Sequence, residues 1–77
     1  MNEYGVVLFH TTSAALRAEK VAQRAGLAVK LLPTPREFSS DCGLALRFRW
    51  ADQEAMQTIL AAARVVIADL QPLHARG

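Results

Sequence analysis

The chain has 77 residues, 52% of them hydrophobic and 21% charged, with a formal net charge of +2. That length accommodates a single domain spanning 1–77, with a core over about 4–70 and a tail over 71–77, and the apolar fraction excludes a disordered chain. The basic residues are scattered and form no run, which argues against a dedicated nucleic-acid binder, and one cysteine excludes an internal disulfide.

Asn2 and Glu3 precede a short apolar stretch, too short for an export signal or a membrane span, so the expected location is the cytoplasm and no membrane partner is expected. A lone cysteine agrees with a reducing compartment. Tyr4 to His10 is a continuous apolar run with β-branched and aromatic residues, which predicts a central strand. Thr11, Thr12 and Ser13 offer hydroxyl N-caps for a helix running to about Ala25. Its stripe of Ala15, Ala18, Ala22 and Ala25 faces inward, Arg17, Lys20 and Arg24 lie outside, and Gly26 ends it.

Leu27 to Leu32 reads as a second strand, stopped by Pro33 and Pro35, with an irregular loop over Pro33 to Gly43. Leu44 to Trp50 alternates, with Leu44, Leu46, Phe48 and Trp50 on one face and Ala45, Arg47 and Arg49 on the other. Asp52 is the expected N-cap of a second helix to about Arg64, carrying Met56, Ile59, Leu60 and Ala63 at helical spacing. Val65 to Leu70 is the expected last strand, and Pro72 to Gly77 a frayed tail.

The order βαββαβ, under the rules for short right-handed connections, predicts an α+β ferredoxin-like sandwich, a four-stranded antiparallel sheet with two helices on one face. In that topology the β1–α1 junction, the β2–β3 loop and the α2–β4 junction share one end of the sheet. Cys42 then faces the N-terminus of the first helix, with Thr11, Thr12, Ser13 and Arg64 nearby. The outer face is expected to show Gly5, Val7, Phe9, Lys30, Arg47 and Arg49, and the exposed pair Val7 and Phe9 to be covered by a second copy in a homodimer or by the tail. RNA-binding sheets of this class carry aromatics on that face, whereas Phe48 and Trp50 point away from the arginines.

Two readings of Cys42 stay open on the residues alone. In one it is a small buried apolar residue at the start of the third strand. In the other it is an accessible, reactive thiol, with Gly43 permitting close backbone approach and Arg36 folding back to offset negative charge, opposed by Asp41. His10 at the end of the first strand is a candidate ligand-orienting group or base, against the commoner role of a hydrogen-bonded structural histidine. One cysteine with His10 and His74 matches no zinc spacing, so no metal and no cofactor is expected.

Pro33, Pro35 and Arg36 followed by Ser39, Ser40, Cys42 and Gly43 resemble the family of small selenium/sulfur carrier-like proteins. Phe9, Thr11, Thr12, Ala15, Leu16, Glu19 and Gly26 resemble its strand–helix portion, and the likeness covers roughly residues 4 to 70. The chain departs from that pattern in having no glycine between the second helix and the last strand. The resemblance implies a cytosolic domain whose Cys42 accepts a persulfide or selenopersulfide from a donor protein and yields it to an acceptor. Arg36 would then offset the charge, and Ser39, Ser40 and backbone N–H groups would hold the anionic adduct. Such a protein is a carrier more than a turnover enzyme. The alternative is a non-catalytic module that binds a small anion or oligomerises and in which Cys42 only packs.

Overall fold

The computed structural model describes residues 3–38 and 42–73. The elements are β1 (Tyr4–Leu8), α1 (Thr12–Arg24), β2 (Val29–Pro33), β3 (Leu44–Arg49), a short 3₁₀ turn (Trp50–Asp52), α2 (Gln53–Ala62) and β4 (Asp69–Leu73). The four strands form one antiparallel sheet in the order β2-β3-β1-β4, the α+β ferredoxin-like arrangement. Both helices pack on the same face, around Val7, Phe9, Leu46 and Phe48.

Local chemistry accounts for the helix ends. Thr11 is the N-cap of α1, its Oγ1 accepting from the Ala14 N–H at 3.1 Å. At the other end Gly26 takes φ +82°, and the N–H groups of Gly26 and Leu27 donate to the carbonyls of Gln23 and Ala22, each at 3.0 Å. This double bond is the Schellman closure that a left-handed residue permits. α2 closes in the same way, with Arg64 N–H to Ala61 at 3.0 Å and Val65 N–H to Leu60 at 2.9 Å, but the left-handed position is held by Arg64 at φ +59°. Arg64 thus occupies the position that glycine holds in the α1 closure, and it lies beyond the helix it was expected to end. Asp52 occupies the N-cap position of α2 without a side-chain cap bond.

Ala15, Ala18 and Ala22 are fully buried, and their small side chains let α1 lie close to the sheet while Phe9, Phe48, Leu46 and Met56 fill the space between. Ala25, expected on the same stripe, is the exposed C-cap. Gly5 pairs with Phe48, and a Cβ at Gly5 would lie 2.6 Å from the Trp50 ring and 2.7 Å from the Phe48 ring. The two rings stack at 6.0 Å between centroids over that bare backbone.

Three expectations are corrected. The faces of β1 are reversed. Gly5, Val7 and Phe9 belong to the helix side, Val7 and Phe9 being fully buried, whereas Tyr4, Val6 and Leu8 stand opposite Arg49, Arg47 and Ala45 on the outer face. The apolar residues of that outer face, Val6, Leu8 and Ala45, are buried beneath Phe38, Leu32 and Leu73. β4 starts at Asp69 instead of Val65, because the Val65 N–H caps α2 and the Ala68 N–H reaches back to the Leu8 carbonyl at 2.7 Å before the ladder begins. Pro72 therefore lies inside β4, opposite Gly5, which its edge position tolerates. Smaller shifts place the start of β2 at Val29 and turn Trp50 into the 3₁₀ segment.

Candidate functional site

The loop between β2 and β3 is tied at its base by one residue. The Thr34 N–H donates to the Gly43 carbonyl and its Oγ1 donates to the Cys42 carbonyl, each at 3.0 Å. A turn then closes from the Pro35 carbonyl to the Phe38 N–H at 3.0 Å, which points Phe38 across the outer face, against Val6, Leu8 and Ala45. Cys42 belongs to the opposite, helix-side cluster. The loop thus straddles the end of the sheet, with an aromatic anchor on one face and the thiol on the other.

The Cys42 side chain is 4% exposed, which corrects the expectation of an accessible thiol. The reason is tertiary: the loop end folds inward where α1 begins, and the thiol fills the space between the two. Its Sγ lies 3.8 Å from Thr12 Oγ1, in the first turn of α1, and accepts from the Leu44 N–H at 3.4 Å. The sulfur thus has a backbone donor aimed at it and lies beside the first turn of α1.

The expected convergence of three junctions is present. Thr12 meets Cys42, and on the solvent side of the same helix end Thr11, Ser13, Arg17, Arg64, Val65 and Val66 line an open cleft of about 280 Å³. Within it the Arg17 guanidinium donates to the Ala63 carbonyl at 2.7 Å, fastening the end of α2 to α1. His10 is exposed immediately after β1. Arg36 is exposed on the turn, and no hydrogen bond joins it to Cys42. Gly43 is exposed, with open space around its Cα. Ser39, Ser40, Asp41 and His74 lie outside the described residues. Among the described residues no three His, Cys, Asp or Glu side chains are grouped to hold a metal ion, and no helix is long and apolar enough to cross a membrane.

Thr34, Phe38 and the Leu44 N–H were not singled out from the sequence. Thr34 had a signal, as a hydroxyl residue held between two prolines at a loop entry. The Phe38 contact had none, since it depends on which face of β1 is outermost.

A family model described as "Putative Se/S carrier protein-like" matches residues 4–72, and the chain belongs to that family. No curated protein and no solved structure matches it.

Proposed function

We propose that this member of the selenium/sulfur carrier-like family carries the chalcogen on Cys42. The observation that carries the reading is the setting of the Cys42 Sγ, which receives the Leu44 N–H at 3.4 Å and sits 3.8 Å from Thr12 Oγ1 at the start of α1. Both groups stabilise an anionic sulfur, and a persulfide is such an anion. In the loading step the Cys42 thiolate attacks the terminal sulfur of a donor protein's persulfide. One S–S bond forms on Cys42, the donor's S–S bond breaks, and the donor leaves as a thiolate, with no net oxidation. With a selenopersulfide donor the atom attacked is selenium and the bond broken is S–Se. The acceptor reverses the step. Thr11, Thr12, Ser13, Gly43 and His10 surround the entrance on this reading, Ser39, Ser40 and Arg36 would meet the adduct when the loop opens, and the partners are donor and acceptor proteins of the cytoplasm.

The burial of Cys42 favours a second reading, a non-catalytic anion-binding or oligomerisation module in which the thiol packs. Intact-mass measurement of protein purified without reductant and then exposed to a low-molecular-weight persulfide separates them. The carrier gains one sulfur on Cys42, releases it to a thiol, and gains none as Cys42→Ser. A chain that stays unmodified while folded, and reacts only when denatured, is the module.

A further inference from the structure

A second concave site lies at the other end of the sheet. Tyr4, Ala28, Val29, Arg47, Phe48 and Arg49 line an open cleft of about 290 Å³. Leu44, next to the Cys42 loop, and Arg49 are five residues apart on β3, or roughly 17 Å, so the cleft is separate from the thiol. Its charge is unbalanced. Arg47 and Arg49 project from the same face, Lys30 is the direct cross-strand partner of Arg47, and no ion pair joins any of the three to a carboxylate among the described residues. Like charges placed directly opposite on a sheet destabilise the pairing, so the free chain carries a repulsion that a bound anion would relieve.

One guanidinium is already held in place. The Arg47 Cζ sits 4.5 Å from the centroid of the Tyr4 ring, a cation–π contact that restricts the side chain before any ligand arrives. The same contact occupies a face of Tyr4 that a nucleobase would otherwise stack on. Each guanidinium presents a planar fork to two oxygens. A single carboxylate saturates one fork, whereas a phosphate monoester has three free oxygens and up to two negative charges, enough to engage both. The Tyr4 ring and Ala28 supply apolar lining beside the arginines and suit an organic body attached to the phosphate.

We propose that the Tyr4–Arg47–Arg49 cleft binds a small ligand carrying a phosphate group on an apolar or aromatic body. The test is calorimetric titration of the full chain with phenyl phosphate, benzoate, inorganic phosphate and an oligothymidylate. Phenyl phosphate is expected to bind saturably, at least about tenfold more tightly than benzoate, a difference of about 1.4 kcal/mol. Arg49→Gln, at an exposed position, should weaken it roughly tenfold, and Arg47→Lys, which keeps the charge but loses the fork, should weaken it as well. Lys20→Gln on α1 should change nothing. Absence of saturable binding, equal binding of benzoate, or an equal loss in Lys20→Gln would overturn the assignment. So would an oligothymidylate that binds through the same arginines far more tightly than phenyl phosphate, since the face would then be a nucleic-acid surface.

Discussion

Removing the Phe38 anchor should expose Cys42 without unfolding the chain. Phe38 is partly buried over Val6, Leu8 and Ala45, and among the described residues of the β2–β3 turn it is the side chain that packs on the outer face. A fully buried phenylalanine removes about 150–250 Å² from water, so about two-thirds of that, less the side-chain surface retained in alanine, is roughly 80 Å². At about 25 cal/mol per Å² the Phe38→Ala change weakens loop docking by about 2 kcal/mol, or roughly thirtyfold in the opening equilibrium. The assay is the rate of iodoacetamide alkylation of Cys42 in native buffer, repeated in low urea. Opening of the loop alone predicts a rate roughly fifteenfold faster in Phe38→Ala, as the open fraction rises from a few per cent to about half, with a shallow urea dependence. Global unfolding predicts a slope equal to that of the whole chain. Ile59→Val, half-buried on α2, is the control, because it lowers global stability by about 0.5–1.5 kcal/mol without touching the loop. An unchanged rate in Phe38→Ala, or acceleration by Ile59→Val in proportion to its lost stability, would show that the anchor does not govern access.

Gly5→Ala should destabilise by about 1–3 kcal/mol, read as a lower urea midpoint, because the Cβ would meet the Trp50 and Phe48 rings at 2.6 and 2.7 Å. Arg64→Gly should stabilise the chain by up to about 1 kcal/mol, seen as a higher thermal midpoint, since Arg64 holds a left-handed φ of +59°. Val7→Lys should abolish cooperative unfolding in circular dichroism, and not merely weaken self-association, because Val7 is fully buried on the helix side. Thr34→Val should cost about 1–2 kcal/mol and speed alkylation of Cys42, as it removes the hydroxyl that ties the loop through the Cys42 carbonyl.

What was legible in the chain follows which residues see one environment and which see two. β3 alternates because its neighbours differ on its two faces, so Leu44, Leu46 and Phe48 identify the helix side directly. β1 is central and buried on both sides, by the helices on one and by Phe38 on the other, so its apolar run contains no information about which of Val6 or Val7 points inward. Reversing that assignment removes the exposed patch on which a homodimer contact had rested. The β-branched run Val65, Val66 and Ile67 resembles a strand, but its first N–H closes the α2 cap and Val66 is 69% exposed. Cap geometry overrode local propensity there. Proline at position 72 suggested an end to the strand, although an edge strand lacks a partner on one side and can include it.

The loop around Cys42 was legible in its ends and not in its depth. Pro33, Pro35 and Gly43 mark where regular pairing stops, but the 4% exposure of the thiol results from its packing against α1, thirty residues away from Thr12 in sequence. Burial does not decide against carriage until it is compared with the free energy of opening. If access requires only the Phe38 contact to break, at about 2 kcal/mol, the thiol is open a few per cent of the time, and transfer slows by roughly thirtyfold. Such a closed state also shields a bound persulfide from stray thiols by the same factor. If access requires global unfolding, at about 5 kcal/mol or more for a domain of this kind, the open fraction falls below about one in a thousand, and exchange with a partner protein would expose the whole core. The choice between carrier and packing residue therefore rests on the free energy of one loop contact, which the alkylation rates of Phe38→Ala and Ile59→Val measure directly.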